Sequence, residues 1–498
     1  MQLEPLKGFL CRPGGGVHIA ALCLAWSLAH VAHAVDIPTT VPLPVVPGDD
    51  ETRSTPFIAW YEDSGKSGYV EEEFLVSGDA NIYEYVDDES QSSAVRVRDE
   101  AIPYTSRLLI RRPADADRFN GTLYLEVLNP TAGWDGDPIW QNTHEYMMRE
   151  GAIYAGLTSK PVALNFLRDK WGRDPYPKRD SSRYAKLQMP YFGQIWDMLS
   201  EVAALLKSPD ADGNPLAGFP VRRTILTGYS QSVAYQVTYA NSFHARERMP
   251  DGTPLIDGYF LSAGGSAKNI NRPTRETEGL PPGDRRNLVD VDVPVVRFQT
   301  ETEVPRSHRL RQHPPEYPLV RIYEMAGGAH VDQATVDVGG KALARDLGLP
   351  SFAAGCDNPV NPVRIGYVQS ATLEIIDQWV RGTAEPPPSR VIDLVDGADG
   401  STEIARDAAG NALGGVRLPS LAVPLGSYLP NNTGAGFCFL IGSFVPFEKS
   451  EVARRYPEHQ DYVQQVVVAA GRALADRFLL EDDAERLLAE AVRSGPGN

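Results

Sequence analysis

Residues 223–235 read Arg-Thr-Ile-Leu-Thr-Gly-Tyr-Ser-Gln-Ser-Val-Ala-Tyr. A β-prone run ends at Gly228, and a helical pattern opens at Ser230 and continues to Phe243. A serine on so tight a strand-to-helix turn has its hydroxyl exposed over the positive end of the following helix. Neighbouring backbones crowd such a turn, so small residues are required two positions before and two after the serine. Gly228 meets that requirement, and Ser232 stands where a second glycine is usual. Taken alone the segment also fits an ordinary helix N-cap, so the rest of the chain has to decide.

A hydroxyl becomes nucleophilic when a base takes its proton, and the base needs an acid to fix its tautomer. After a serine on this kind of turn, the acid and then the histidine follow in chain order. The strand-like Pro294–Gln299 leads into Thr300-Glu301-Thr302-Glu303. Leu319–Glu324 leads into Met325-Ala-Gly-Gly-Ala-His330, where two glycines permit a sharp turn. Glu303 and, as runner-up, Glu301 are therefore candidate acids, one of them expected to be a solvated surface acid. Asp332 ranks third, being too near His330 in sequence to reach around its ring. His308, His313 and His459 read as surface residues, and His144 and His244 as structural ones. Negative charge developing on a substrate carbonyl needs N–H donors. One is the backbone of Gln231, and the second is expected from the loop Asn129-Pro-Thr-Ala-Gly-Trp134, with Thr131 the first choice because Pro130 has no N–H.

Outward from this core, strands alternate with helices. Thr122–Leu128, Ala152–Thr158, Thr224–Thr227 and Asp257–Ser262 are strand-like, whereas Gly193–Lys207 and Tyr367–Arg381 carry helical apolar spacing. That alternation predicts an α/β fold with a mostly parallel sheet covered on both faces. Before it, the short β-prone runs Tyr69–Val76, Ile82–Val86 and Ser106–Ile110 predict an antiparallel extension. The expected plan is a lead-in over 35–56, a main domain over 57–385, and an appendage over 386–498 with turns and then helices. Residues 160–190, aromatic and aperiodic, read as a lid-like insertion.

The chain has 498 residues and a formal charge of −17. Such an acidic balance argues against nucleic acid and anionic membrane surfaces as partners. Residues 1–34 read as a signal peptide: Lys7 and Arg12, the apolar run Ile19–Ala29, and the cleavage pattern Ala32-His-Ala34. Eleven apolar residues are too few to span a bilayer. Cleavage after Ala34 predicts a secreted or periplasmic protein without membrane association. It also leaves Cys356 and Cys438 as the remaining cysteines, whose one possible pairing is a disulfide. No metal site and no cofactor are expected.

The stretches LEVLNPTAGWD, LTGYSQS, VPVVRFQTETEV and EMAGGAH, with DAAGNALGGVRLPSLAVPLGSY in the tail, resemble the α/β-hydrolase superfamily. More narrowly, they resemble its group of mostly uncharacterised alpha/beta hydrolase domain-containing proteins. The likeness spans about residues 60 to 490. It implies an α/β-hydrolase fold and a Ser230, Glu303, His330 triad; the group's recurrent Q-T-E-T-[DE] turn favours Glu303 over Glu301. The expected function is a serine hydrolase that cleaves small carboxylic esters through an acyl-enzyme on Ser230. A catalytically silent binding protein of the same fold and a serine peptidase are the alternatives. The sequence leaves the oligomeric state open.

Overall fold

Nine strands share one sheet in the computed structural model, which describes residues 33–49, 52–60, 64–270 and 279–494. The expected signal peptide lies outside the described residues, apart from His33–Ala34, which pair in parallel with Glu247–Arg248. The strands are β1 (Thr39–Pro42), β2 (Tyr69–Tyr85), β3 (Val95–Pro113), β4 (Thr122–Val127), β5 (Ile153–Leu157), β6 (Arg223–Tyr229), β7 (Gly258–Ser262), β8 (Val295–Thr300) and β9 (Val320–Met325). Across the sheet they run β9-β8-β7-β6-β4-β5-β3-β2-β1. The five pairings from β9 to β5 are parallel, and the three from β5 to β1 are antiparallel. A mostly parallel sheet with an antiparallel N-terminal edge is what the alternating pattern predicted. The strands β4, β5 and β8 are buried at every residue, because helices cover both faces.

Those helices are α1 (Pro138–Glu150), α2 (Pro161–Asp169), α3 (Ile195–Lys207), α4 (Gln231–Ser242), α5 (Gln333–Leu347) and α6 (Ile365–Val380). Pro138 opens α1, and Gly151 closes it in the left-handed conformation at φ 71°. Sequence periodicity missed α1 because its buried face mixes Thr143 and His144 with apolar residues.

Two expectations about organisation are corrected. The runs 69–76 and 82–86 fuse into the single strand β2, since Gly78 is not a break. A Cβ there would press on the Glu201 carboxylate and on the Tyr104 ring at 3.0 Å, so glycine leaves room for both inside the strand. Residues 160–190, expected as a lid-like insertion, pack into the body of the domain. They supply α2 and a turn-rich segment whose Phe166, Trp171 and Tyr184 are built into the main core. Their aromatic content bought burial rather than a binding surface.

The antiparallel edge grips the front of the sheet. Arg107 and Arg111 lie four apart on one face of β3 and are fully buried. Arg107 bonds Glu73 and lies 3.4 Å from Asp135, and Arg111 bonds Glu71 at 2.7 Å and Asp137 at 2.5 Å. Both arginines thus hold the loop that leads from β4 into α1. Beyond β9, the tail lies along the other edge. Arg390, Val416 and Ile441 form parallel bridges with Tyr323, Met325 and Val331, and the helices α7 (His459–Ala475) and α8 (Glu481–Ser494) pack outside them. Among the described residues no helix is long and apolar enough to cross a membrane.

Candidate active site

Ser230 leaves β6 with φ 57° and ψ −120°, a conformation that costs a non-glycine residue on the order of 1–3 kcal/mol. The turn is held from both sides: Ser230 N–H donates to Ser262 O at 2.9 Å, and Val233 N–H donates to Ser230 O at 3.0 Å. Gly228 keeps the turn uncrowded, because a Cβ there would displace the Gln236 side-chain amide and press on the Ser232 Cβ at 3.1 Å.

His330 follows β9 on a loop turned by Gly327 at φ 70°. Its Nδ1–H donates to Glu303 Oε1 at 2.7 Å, a bond that orients the ring with Nε2 away from the carboxylate. Glu303 is itself fixed, its Oε2 accepting from Thr300 N–H at 2.8 Å and Thr300 Oγ1–H at 2.7 Å. The His330 backbone is pinned by donation to Thr302 Oγ1 at 3.0 Å and by acceptance from Tyr229 O–H at 2.6 Å. Tyr229 directly precedes Ser230, and its ring centroid lies 4.9 Å from that of His330.

Glu301 has another task. It is fully buried, not solvated as expected, and accepts from Gly327 N–H at 2.8 Å while pairing with Arg406 at 2.6 Å. Burial raises its carboxyl above the ordinary range, and Arg406 opposes that rise. Asp332 is the N-cap of α5 and accepts from Ile365 N–H at 2.7 Å. His144 bonds backbone carbonyls of its own helix and packs against the Trp60 ring at a tilt, and His244 bonds Asp292 at 2.6 Å.

The donor loop also departs from expectation. Thr131 N–H already donates to Asn129 Oδ1 at 2.8 Å, and Gly133 N–H donates to Pro130 O at 2.9 Å. Among the described residues the Ala132 and Trp134 N–H groups have no protein acceptor, nor has that of Gln231. Asn129, which the sequence reading passed over, joins this loop to the serine turn by donating Nδ2–H to Tyr229 O at 2.8 Å.

Ser230 and His330 line one cavity of about 160 Å³. Its walls are Ala132 and Trp134 from the donor loop, Pro138 at the start of α1, and Ala342 and Leu343 from α5, with Phe352, Phe437, Leu440 and Ile441 beyond them. Trp134 is the aromatic wall residue that the donor loop supplies. The others came from segments outside the reach of periodicity. The disulfide Cys356–Cys438 ties together the two segments that carry Phe352 and Phe437. Among the described residues no group of three or more His, Cys, Asp or Glu side chains is placed to hold a metal ion.

A wound sheet whose loops gather a serine, a histidine and a carboxylate at the carboxyl ends of its strands defines the α/β-hydrolase class. Residues 40–489 match the model of one family of that class, the alpha/beta hydrolase domain family, and the chain belongs to it. Three solved structures resemble it in fold. One of two fungal esterases from Rhizomucor miehei is 12% identical, covering 56% of this chain and 84% of its own, with a TM-score of 0.30. A serine hydrolase without lid from Xanthomonas campestris is 12% identical over 49% of this chain and 91% of its own, with a TM-score of 0.26. A serine hydrolase homologue from Coxiella burnetii is 10% identical over 49% and 92%, also with a TM-score of 0.26. No curated protein matches the chain.

Proposed function

We propose that this hydrolase is an exported serine esterase. Ser230 Oγ attacks the ester carbonyl while His330 Nε2 takes the hydroxyl proton. Gln231 N–H, with Ala132 or Trp134 N–H, receives the oxyanion. Collapse of the tetrahedral species expels the alkoxide, which leaves with the proton from His330. Water, deprotonated by the same histidine, then releases the acid from the acyl-enzyme. The single observation that carries this reading is the 2.7 Å bond from His330 to Glu303 beside a strained Ser230 on the same cavity.

The cavity supports esters whose acyl or alcohol part is apolar and small, since about 150 Å³ of apolar space accommodates a benzene-sized group. The disulfide and the leader-like first 34 residues support export into an oxidising compartment. A series of nitrophenyl esters of rising acyl length, run on wild type and Ser230→Ala, tests the whole reading. Turnover should be greatest for short acyl chains, fall beyond about six to eight carbons, and vanish in Ser230→Ala. A fluorophosphonate probe should label Ser230 in the folded protein. Absence of labelling would favour the silent binding protein, and preference for peptide anilides would favour the peptidase.

A further inference from the structure

The two sources of oxyanion donors belong to separate segments, the first turn of α4 and the loop after β4. Their relative placement needs a tie. Lys160, just after β5, is 1% exposed. Its Nζ donates to Leu128 O at 2.7 Å and to Ser232 Oγ at 2.8 Å. The Ser232 hydroxyl in turn donates to Leu128 O at 3.1 Å, closing a three-membered ring of hydrogen bonds. Leu128 is the root of the donor loop, and Ser232 lies on the serine turn. The Lys160 ammonium also lies over the Tyr235 ring, 4.8 Å from its centroid, on the next part of α4.

A buried ammonium is costly unless its protons find acceptors. Ser232 supplies one, and that explains why serine occupies the position where a glycine is usual. A glycine would satisfy the steric demand of the turn and leave the lysine one acceptor short. On the other side, Asn129 Nδ2–H reaches Tyr229 O at 2.8 Å. Residues 229 and 232 thus bracket Ser230 and Gln231, and both are tied to residues 128 and 129.

We infer that Lys160 is a positioning residue for hydrolysis: by locking the root of the donor loop to Ser232, it sets the separation between the Gln231 N–H and the loop N–H groups that together receive the oxyanion. This inference rests on the assignment of Ser230 as nucleophile.

The test compares Lys160→Met, Ser232→Gly and the double variant, with a nitrophenyl ester as substrate. An interaction made in the transition state lowers kcat and leaves KM nearly unchanged. Lys160→Met should lose at least about tenfold in kcat with KM within about twofold, and Ser232→Gly should lose less. The double variant should be no worse than Lys160→Met, because both changes cut one tie. Should Lys160→Met fail to fold, Ser232→Ala carries the test, since it keeps the lysine and removes the hydroxyl. It should slow both kcat and fluorophosphonate labelling while leaving KM alone. Wild-type kcat in these variants, a loss confined to KM, or losses that multiply in the double variant would overturn the inference. A wild type without Ser230-dependent turnover is a different failure, since it removes the esterase reading itself.

Discussion

Glu301 and Glu303 stand two positions apart on one turn, yet one faces Arg406 and the Gly327 amide and the other faces His330. Their amide variants should therefore separate two kinds of damage. Glu303→Gln should cut turnover by at least about a hundredfold, since the wrong partner at Nδ1 disfavours the working tautomer, with little change in melting temperature. Glu301→Gln should keep most activity and lower stability, because it leaves Arg406 without its counter-charge. Activity assays and thermal melts on the two proteins decide; the reverse pattern would move the acid's role to Glu301. The sequence offers Ser230, His330 and the two glutamates as candidates because each follows a strand-like run and each chemistry admits few side-chain types. Thr131 was misjudged as a donor for a local reason, in that an Asn two residues earlier captures its amide in a side-chain turn.

At the scale of elements, the parallel strands were legible since buried strands read as continuous apolar runs bounded by turns. The cavity wall was not, because it is assembled from loops far apart in the chain that share no periodicity. Phe352 and Phe437 are brought to one place by a disulfide that closes a separation of 82 residues. A crosslink of that span stabilises a chain by about 4 kcal/mol in the chain-entropy account. Cys356→Ser with Cys438→Ser should thus lower the melting temperature by several degrees. It should also raise KM for esters with bulky apolar groups more than it lowers kcat, because the wall loosens while His330 keeps its own bonds. Equal KM for acetyl and longer esters in both proteins would show that the wall needs no such staple.

The whole molecule carries its acidic excess partly inside. A second cavity, of about 190 Å³, is lined by Asp36, Asp79, Asp197, Glu201 and Glu247. Burial, with Asp197 adding to it, pushes the Glu201 carboxyl up to about 8 and that of Glu247 up to about 7. The unfolded chain releases these protons near the ordinary 4.5, while the folded protein keeps them to higher pH. Between those values the folded state binds more protons, so this contribution to stability is complete below about pH 4.5 and is lost as pH rises through 7 and 8. Melting temperature should decline from pH 5 to pH 9, and Glu201→Gln should flatten the decline and raise the pH 8 value by roughly 2 °C or more. A melting profile indifferent to Glu201→Gln would refute the burial argument. Net charge could be counted from composition, but its concentration in one cavity depends on β2, α3 and the strand near Glu247 meeting in space.

The tail reaches back to the histidine loop: Val331 N–H donates to Leu440 O, and Gly442 N–H donates to Val331 O. Synthesis proceeds from the amino end, so Ser230 and Glu303 are in place long before residues 440–442 exist. The imidazole then lacks its final backing. A chain ending before residue 440 therefore lacks both Val331 bonds, and its histidine loop should be less ordered than that of the full-length protein.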